Sequence, residues 1–362
     1  MNMMMRLMAA LMISFAVAAV FGRFYIPWLH KQKAGQAIKE NGPAWHASKS
    51  GTPTMGGVMF ILGVIAVVLT VGFPSMRQGR YTHLYVLVFA LVFGAIGMLD
   101  DWEKIKNKHN TGLSARMKFL LQLAAALAFV VLMRNLGLVN TDLYVPFTGG
   151  TVPIPQWLYF IFAAFVIVGT VNAVNITDGV DGLASGTSLP VCLFFVCVSF
   201  AWGERFLEQG LFASALLGGL LGFLLYNFNP AKVFMGDTGS LFLGGAVAAL
   251  AFAYDMPLIL LTVGIVYIVE TLSDIIQVSY FKLTKRLKGE GRRVFRMAPL
   301  HHHLEMGGWT GKKWREKELF FLFTGISLYS PGGILIAFAA SPNGYAVQQL
   351  VFIVYRVDYQ GI

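Results

Sequence analysis

The stretch THLYVLVFALVFGAIGMLDDW, from Thr82 to Trp102, decides the architecture. It runs from Thr82 to Leu99 without Asp, Glu, Lys or Arg, and then presents Asp100 and Asp101 side by side. About 20 predominantly apolar residues suffice for a helix to cross a hydrocarbon layer. The run therefore reads as a membrane span with a pair of acids at its end. The chain around it is of the same kind: of 362 residues, 56% are hydrophobic and 13% charged, against roughly 25% charged in soluble domains. The excess lies in long apolar runs rather than short strands, so lipid is the solvent for most of the molecule.

The expected fold is an all-α polytopic membrane protein of about ten transmembrane helices. Spans are predicted near 7–29, 55–73, 82–99, 117–134, 156–174, 188–203, 210–226, 239–254, 257–281 and 319–340. The eighth and ninth are separated only by Asp255 and Pro257. The N-terminal run from Met1 to Pro27 is followed at once by further spans, so it reads as a membrane helix rather than a leader. Residues 1–340 form one integral membrane domain, and 341–362 a tail with no assigned role. Cys192 and Cys197 share one apolar run and point about 140° apart on a helix, which argues against a bridge between them.

Loop charge orients the spans. One set of loops holds Lys31, Lys33, Lys39, Lys49, Lys104, Lys106, Lys108, Arg116, Lys118, Lys232 and the basic stretch from Lys282 to Lys317. The other holds only Arg6, Arg77, Arg80, Arg134, Arg205 and Arg356. The first side is then cytoplasmic and both termini are extracytoplasmic. The net charge of +10 is mainly this topology signal and implies no nucleic acid partner. The longest external loop, around Asn135 to Gln156, reads as a short hairpin or irregular cap. No internal repeat stands out, which speaks against an inverted-repeat transporter.

On this topology the polar motifs fall at the cytoplasmic helix ends. They are Asp100-Asp101, Asn172 to Gly182, Asn227 to Pro230, Phe234 to Ser240, and Ala298 to Glu305. Asp100 and Asp101 suit a division of labour between an acceptor phosphate and a cation or lysine, and equally an ordinary ion pair with Lys104. Asn175, Asp178 and Asp181 recur at a spacing of three, on one side of a turn or frayed helix. Asp237 stands among glycines at a helix start, where exposed amides suit a phosphate and one carboxylate plus substrate phosphates suit magnesium; it also fits a plain helix cap. Consecutive side chains of His301, His302 and His303 diverge, so they do not form a three-histidine zinc site; imidazoles facing a diphosphate are the better reading. Glu270, Asp274 and Gln277 share one face of the ninth span, where interior pairing with cations or backbone is expected.

These motifs, together with Gly51-Thr52-Pro53-Thr54-Met55-Gly56-Gly57 and Gly307 to Trp309, resemble the phospho-N-acetylmuramoyl-pentapeptide transferases, within the polyprenyl-phosphate N-acetylhexosamine-1-phosphate transferase superfamily. The resemblance runs from about residue 31 to 340. It implies transfer of phospho-MurNAc-pentapeptide from UDP-MurNAc-pentapeptide to undecaprenyl phosphate, giving lipid I and UMP, with Mg2+ required. It also implies a homodimer in the bacterial cytoplasmic membrane. Carried over by position, Asp237 would ligate magnesium. Asp100 would be base or acceptor-phosphate partner, with Asp101 beside it. Lys49, Asn227, Phe234 and Asp181 would surround the uridine, with Thr54, Asn172, Asn175 and Asp178 lining the same cleft. His301, with His302 and His303, would stand by the diphosphate. Lys104, Lys108 and Lys118 are available for the lipid phosphate. Spacing leaves open whether the acceptor attacks directly or an aspartate forms a covalent intermediate.

The competing readings are the same chemistry on N-acetylglucosamine and, from another class, a transporter or lipid flippase. A transporter should carry its charges near the bilayer midplane; here only Glu270 and Asp274 lie deep.

Overall fold

The computed structural model describes residues 2–32, 49, 51–107, 112–146 and 150–339, with the side chains of 331–339 left undescribed. Lys108 and the tail from 341 lie outside the described residues. The helices are α1 (Met3–Lys31), α2 (Val58–Thr70), α3 (Phe73–Met76), α4 (Thr82–Asn107), α5 (Ala115–Asn135), α6 (Gln156–Thr177), α7 (Leu183–Trp202), α8 (Leu207–Asn227), α9 (Gly236–Ala253), α10 (Leu260–Val263), α11 (Ile265–Lys288), α12 (Leu300–Glu305) and α13 (Glu316–Ala339). Between α5 and α6 the chain makes an antiparallel hairpin, β1 (Asp142–Val145) with β2 (Gly150–Pro153), Asp142 opposite Pro153. The cap expected between Asn135 and Gln156 is this hairpin.

Among the described residues, seven helices are long and apolar enough to cross a membrane: α1, α4, α5, α6, α7, α8 with the 3-10 turn before it, and α9. The predicted ninth span, 257–281, is not one helix. Pro257–Val263 and Ile265–Lys288 pass as a pair but are bent by 82° at Gly264. Counting the pair as one span gives eight. The predicted second span, 55–73, shortens to the 13 residues of α2: Met55 takes φ 68°, and the Gly56 and Gly57 amides bond to the Phe234 and Met235 carbonyls instead of to a preceding helical turn.

The centre of the bundle is α9. Every residue from Thr238 to Ala253 is buried, as expected of a helix that is apolar all round. Its Gly244-Gly245-Ala246 and Ala248-Ala249 steps carry little side chain, so neighbouring backbones approach closely. It packs along α4 and α6, while α8 packs along α1 and α7. At the α4 seam a methyl on Gly97 would collide with the backbone carbonyl of Asp237, and one on Gly57 would collide with Gly239. The segment before α2 is bonded to the segment before α9: Phe234 donates to the Pro53 carbonyl at 2.8 Å, Gly56 to the Phe234 carbonyl at 2.8 Å, and Gly57 to the Met235 carbonyl at 3.0 Å. Polar helix ends distant in sequence thereby meet in one place.

Candidate active site

The last turns of α4 lie alongside the first turn of α9. A helix start leaves unsatisfied amides, and here the other helix supplies the cap. Asp101 accepts the Asp237 amide at 3.1 Å through Oδ1, and the Thr238 amide at 2.9 Å and hydroxyl at 2.7 Å through Oδ2. Both Asp101 oxygens are thus committed to α9. Asp100 points differently, as adjacent helical residues must. Its Oδ1 accepts the Leu113 amide at 2.9 Å, tying down the approach to α5, and its Oδ2 pairs with Lys104 at 2.6 Å.

Asp237 is the meeting point. Its Oδ2 accepts from Lys104 Nζ at 2.8 Å and Lys118 Nζ at 2.7 Å, and its Oδ1 from Asn175 Nδ2 at 2.7 Å. Asn175 also donates to Ser240 Oγ at 2.7 Å. Asp100, Asp101 and Asp237 each offer an oxygen within 4.8 Å of the other two. A set of hard carboxylate oxygens suits a small divalent cation. The bonds to Asp101 come from a fixed helix start, whereas those to Asp237 and Asp100 come largely from mobile lysine heads. Asp237 and Asp100 are therefore the donors best placed to hold such an ion, where Lys104 and Lys118 now supply the positive charge. The donor set fits a magnesium ion.

Asp178, just past α6, borders this cluster. Its carboxyl is held well above the usual carboxylate range, by burial first and then by the negative charges of Asp237, Asp101 and Asp181.

A second cluster forms at Lys49. Its ammonium lies 2.6 Å from both Asp181 Oδ1 and Glu316 Oε2, and 5.9 Å from the Phe234 ring centroid. Asp181 Oδ2 accepts from Asn229 Nδ2 at 2.9 Å and the Ala231 amide at 3.0 Å. Asn227 Nδ2 donates to the Val233 carbonyl at 2.9 Å, closing the turn that carries Phe234. Thr54 is buried where a methyl on Gly236 would collide with its hydroxyl and with Asp101.

The three histidines separate by role. His301 is fully buried, its Nδ1 2.9 Å from Glu270 Oε2 and its Nε2 against Gly179 of the Asn175–Gly182 loop. His302 Nδ1 lies 2.7 Å from Glu305. His303 does not face the cluster. Its Nδ1 accepts the Arg296 amide at 3.1 Å, and its ring sits between Phe295 and Trp309. Burial first, then Arg296, holds its pKa below the ordinary histidine value, as suits a neutral acceptor ring. Asn172 also lies apart. Its amide donates to Gln122 at 2.6 Å and to the Val168 carbonyl at 2.8 Å, joining α6 to α5. Glu270 and Gln277 make the expected interior pairings; Gln277 accepts the Val294 and Phe295 amides at 3.0 Å and donates to the Phe295 carbonyl at 3.1 Å.

Glu316, Gln122, Thr238 and Ser240 were not anticipated as partners of the site residues. Only Thr238 and Ser240 carried a signal, through their place beside Asp237. Glu316 sits in the charged run Lys312 to Glu318 and resembles any solvated helix start.

Acids and lysines converging on the ends of apolar helices define a class, an integral membrane protein handling phosphorylated substrates. In agreement, residues 83–255 match Glycosyl transferase family 4, and with the relatives below this supports a phospho-sugar transferase. Residues 49–61, beginning at Lys49, match Phospho-N-acetylmuramoyl-pentapeptide-transferase signature 1. Curated relatives bearing that enzyme name include those of Shouchella clausii, 44% identical over 87% of this chain and 93% of the relative, and Clostridium acetobutylicum, 45% over 83% and 90%. Another, from Caldanaerobacter subterraneus, is 43% identical over 90% of this chain and 98% of its own. The chain belongs to the phospho-N-acetylmuramoyl-pentapeptide-transferase family.

Proposed function

We propose that this protein transfers phospho-MurNAc-pentapeptide from its UDP carrier to undecaprenyl phosphate, giving lipid I and UMP for peptidoglycan synthesis. An oxygen of the lipid phosphate forms a bond to the sugar-bearing phosphorus, and the bridging P–O bond to UMP breaks. The observation that carries the reading is Asp237, held between Lys104, Lys118 and Asn175 beside Asp100. Attack by one phosphate on a diphosphate gathers negative charge, so positioning and electrostatic relief are the protein's main task.

Asp237 and Asp100 would hold Mg2+, which when bound supplies charge neutralisation at the diphosphate. Lys104 and Lys118 would offer their ammonium groups to the phosphate oxygens, the lipid phosphate among them. Asp101 keeps α9 in register with α4. Lys49, Asp181, Asn227 and Phe234 line the uridine side of the cleft; Thr54, Asn175 and Asp178 line the wall between. His301, beneath Gly179, would act at the diphosphate, with His302 beside it.

Ten spans follow if the bent pair, the short α2 and α13 each cross the bilayer. Residues 1–340 then form one catalytic domain, with both termini outside, the site at the cytoplasmic face, and a homodimer in the inner membrane.

The test is UMP release by purified detergent-solubilised protein. Release should require UDP-MurNAc-pentapeptide, undecaprenyl phosphate and Mg2+ together, and cease on chelation. Asp237→Asn should abolish it while eluting as folded protein; substantial turnover by that variant would remove Asp237 from the centre. Release with UDP-N-acetylglucosamine in place of the muramoyl donor would move the chain to the related sugar.

A further inference from the structure

Lys49 has a second carboxylate partner that no motif includes. Glu316, the first residue of α13, accepts the Lys49 ammonium at 2.6 Å and the Asp181 amide at 3.1 Å through one oxygen, Oε2. Asp181 receives the same ammonium at 2.6 Å on Oδ1, while its other oxygen is anchored by Asn229 and Ala231. Glu316 therefore touches both members of the pair at once, and does so from a helix more than a hundred residues downstream.

The physics of a lysine explains why one partner is not enough. Its four-carbon stem carries about 2 kcal/mol of rotamer entropy, all of it lost when the ammonium must sit at one point. A single carboxylate leaves the head free to swing about that contact. Two short charge-assisted bonds from separate elements fix it. None of the three side chains is more than 18% exposed, so solvent screens the contacts little. The bond to the Asp181 amide also sets the height of the loop carrying Asp178 and Asp181 against α13.

We infer that Glu316 is a positioning residue for nucleotide recognition, fixing Lys49 and the Asp181 loop on the uridine side of the cleft. The inference rests on the proposed placing of Lys49 beside the nucleotide. Glu316 acts through Lys49, so its removal should weaken capture of the UDP-sugar and leave the transfer step alone.

UMP-release kinetics and calorimetric binding of UDP are measured for native protein, Lys49→Ala, Glu316→Gln and the double variant. Glu316→Gln should raise the KM for the UDP-sugar about tenfold, the scale of one charge-assisted hydrogen bond. Its kcat and its KM for the lipid acceptor should stay within about twofold of native. The double variant should bind UDP no more weakly than Lys49→Ala alone, since the Lys49 contact is already gone there and the glutamine oxygen can still accept the Asp181 amide. An unmoved KM in Glu316→Gln, a fall in kcat instead, or losses that multiply in the double variant would overturn the inference. Should Glu316→Gln aggregate, Glu316→Asp, which keeps the charge on a shorter stem, must show a smaller loss of the same kind; native KM there overturns it equally. Absence of UMP release from native protein, or native UDP binding by Lys49→Ala, would tell against the proposed function. A silent Glu316→Gln beside an impaired Lys49→Ala would tell against Glu316 alone.

Discussion

Asp178 is where the charge balance of the site is most exposed to measurement. Its carboxyl is pushed well above the usual range by burial and by Asp237, Asp101 and Asp181. A folded-state value above the unfolded one means the folded protein binds this proton more tightly. The associated stability is complete below the ordinary carboxylate value of about 3.9 and is lost as pH rises toward the raised one. Asp178→Asn, which cannot ionise, should therefore melt higher than native protein near pH 7.5 without divalent cation, with the gap closing toward pH 4. Thermal unfolding in detergent at both values checks this; an equal offset at the two would show that burial of charge is not the cause. The neighbouring histidines teach a second lesson at this scale. Three identical residues in a row find the buried Glu270, the buried Glu305 and a backbone amide with two aromatic rings. The letters His301-His302-His303 predict divergence but not which ring goes where, because Arg296 and Trp309 are placed by loop geometry. The resemblance sets Asn172 in the cleft with Asn175, but a helix rises about 4.5 Å over the three positions that separate them. Asn172 is left one turn deeper, facing Gln122.

Among the elements, the α4–α9 seam sets the reaction centre. Gly97 lies against the carbonyl of Asp237 with no room for a methyl. Gly97→Ala should push α9 from α4, costing about 1–3 kcal/mol as overpacking does, and should lower UMP release by displacing Asp237 from Asp100. A variant with native melting temperature and native turnover would show that the seam yields. Most elements were legible from the chain, since an apolar run of helical length has few alternatives in lipid. The pause at Asp255 is one such feature, and the structure places it there, the residue adopting φ 53° after α9. The 82° bend was not legible, because Gly264 is a single residue in an apolar stretch and an isolated glycine does not say whether a helix continues or turns.

For the whole molecule, the arrangement of charge predicts sidedness. With the basic loops inward, Lys312 between α12 and α13 faces the cytoplasm, and Gly79 between α3 and α4 faces outward. In a background lacking Cys192 and Cys197, a membrane-impermeant maleimide added to intact cells should label Gly79→Cys and spare Lys312→Cys until the membrane is opened. The reverse pattern would invert the topology. The convergence of distant polar motifs on one end of the bundle was readable, because each interrupts an apolar run at its boundary. The link from Lys49 to Glu316 was not, since a charged helix start looks the same whether it meets water or a lysine far off in sequence. One further property follows from the glycine contacts. Where leucine or phenylalanine fills the space between helices, side chains flex, and the spacing yields to temperature or to the thickness of the surrounding bilayer. At the active-site end of the α4–α9 seam, Gly97 rests on the backbone of Asp237 and Thr238 and leaves nothing soft to compress, whereas farther along the seam Phe93 and Phe242 fill the space. The reacting groups are therefore mounted where the seam is stiffest, so that strain from the bilayer should be taken up elsewhere before the interval between Asp100 and Asp237 changes.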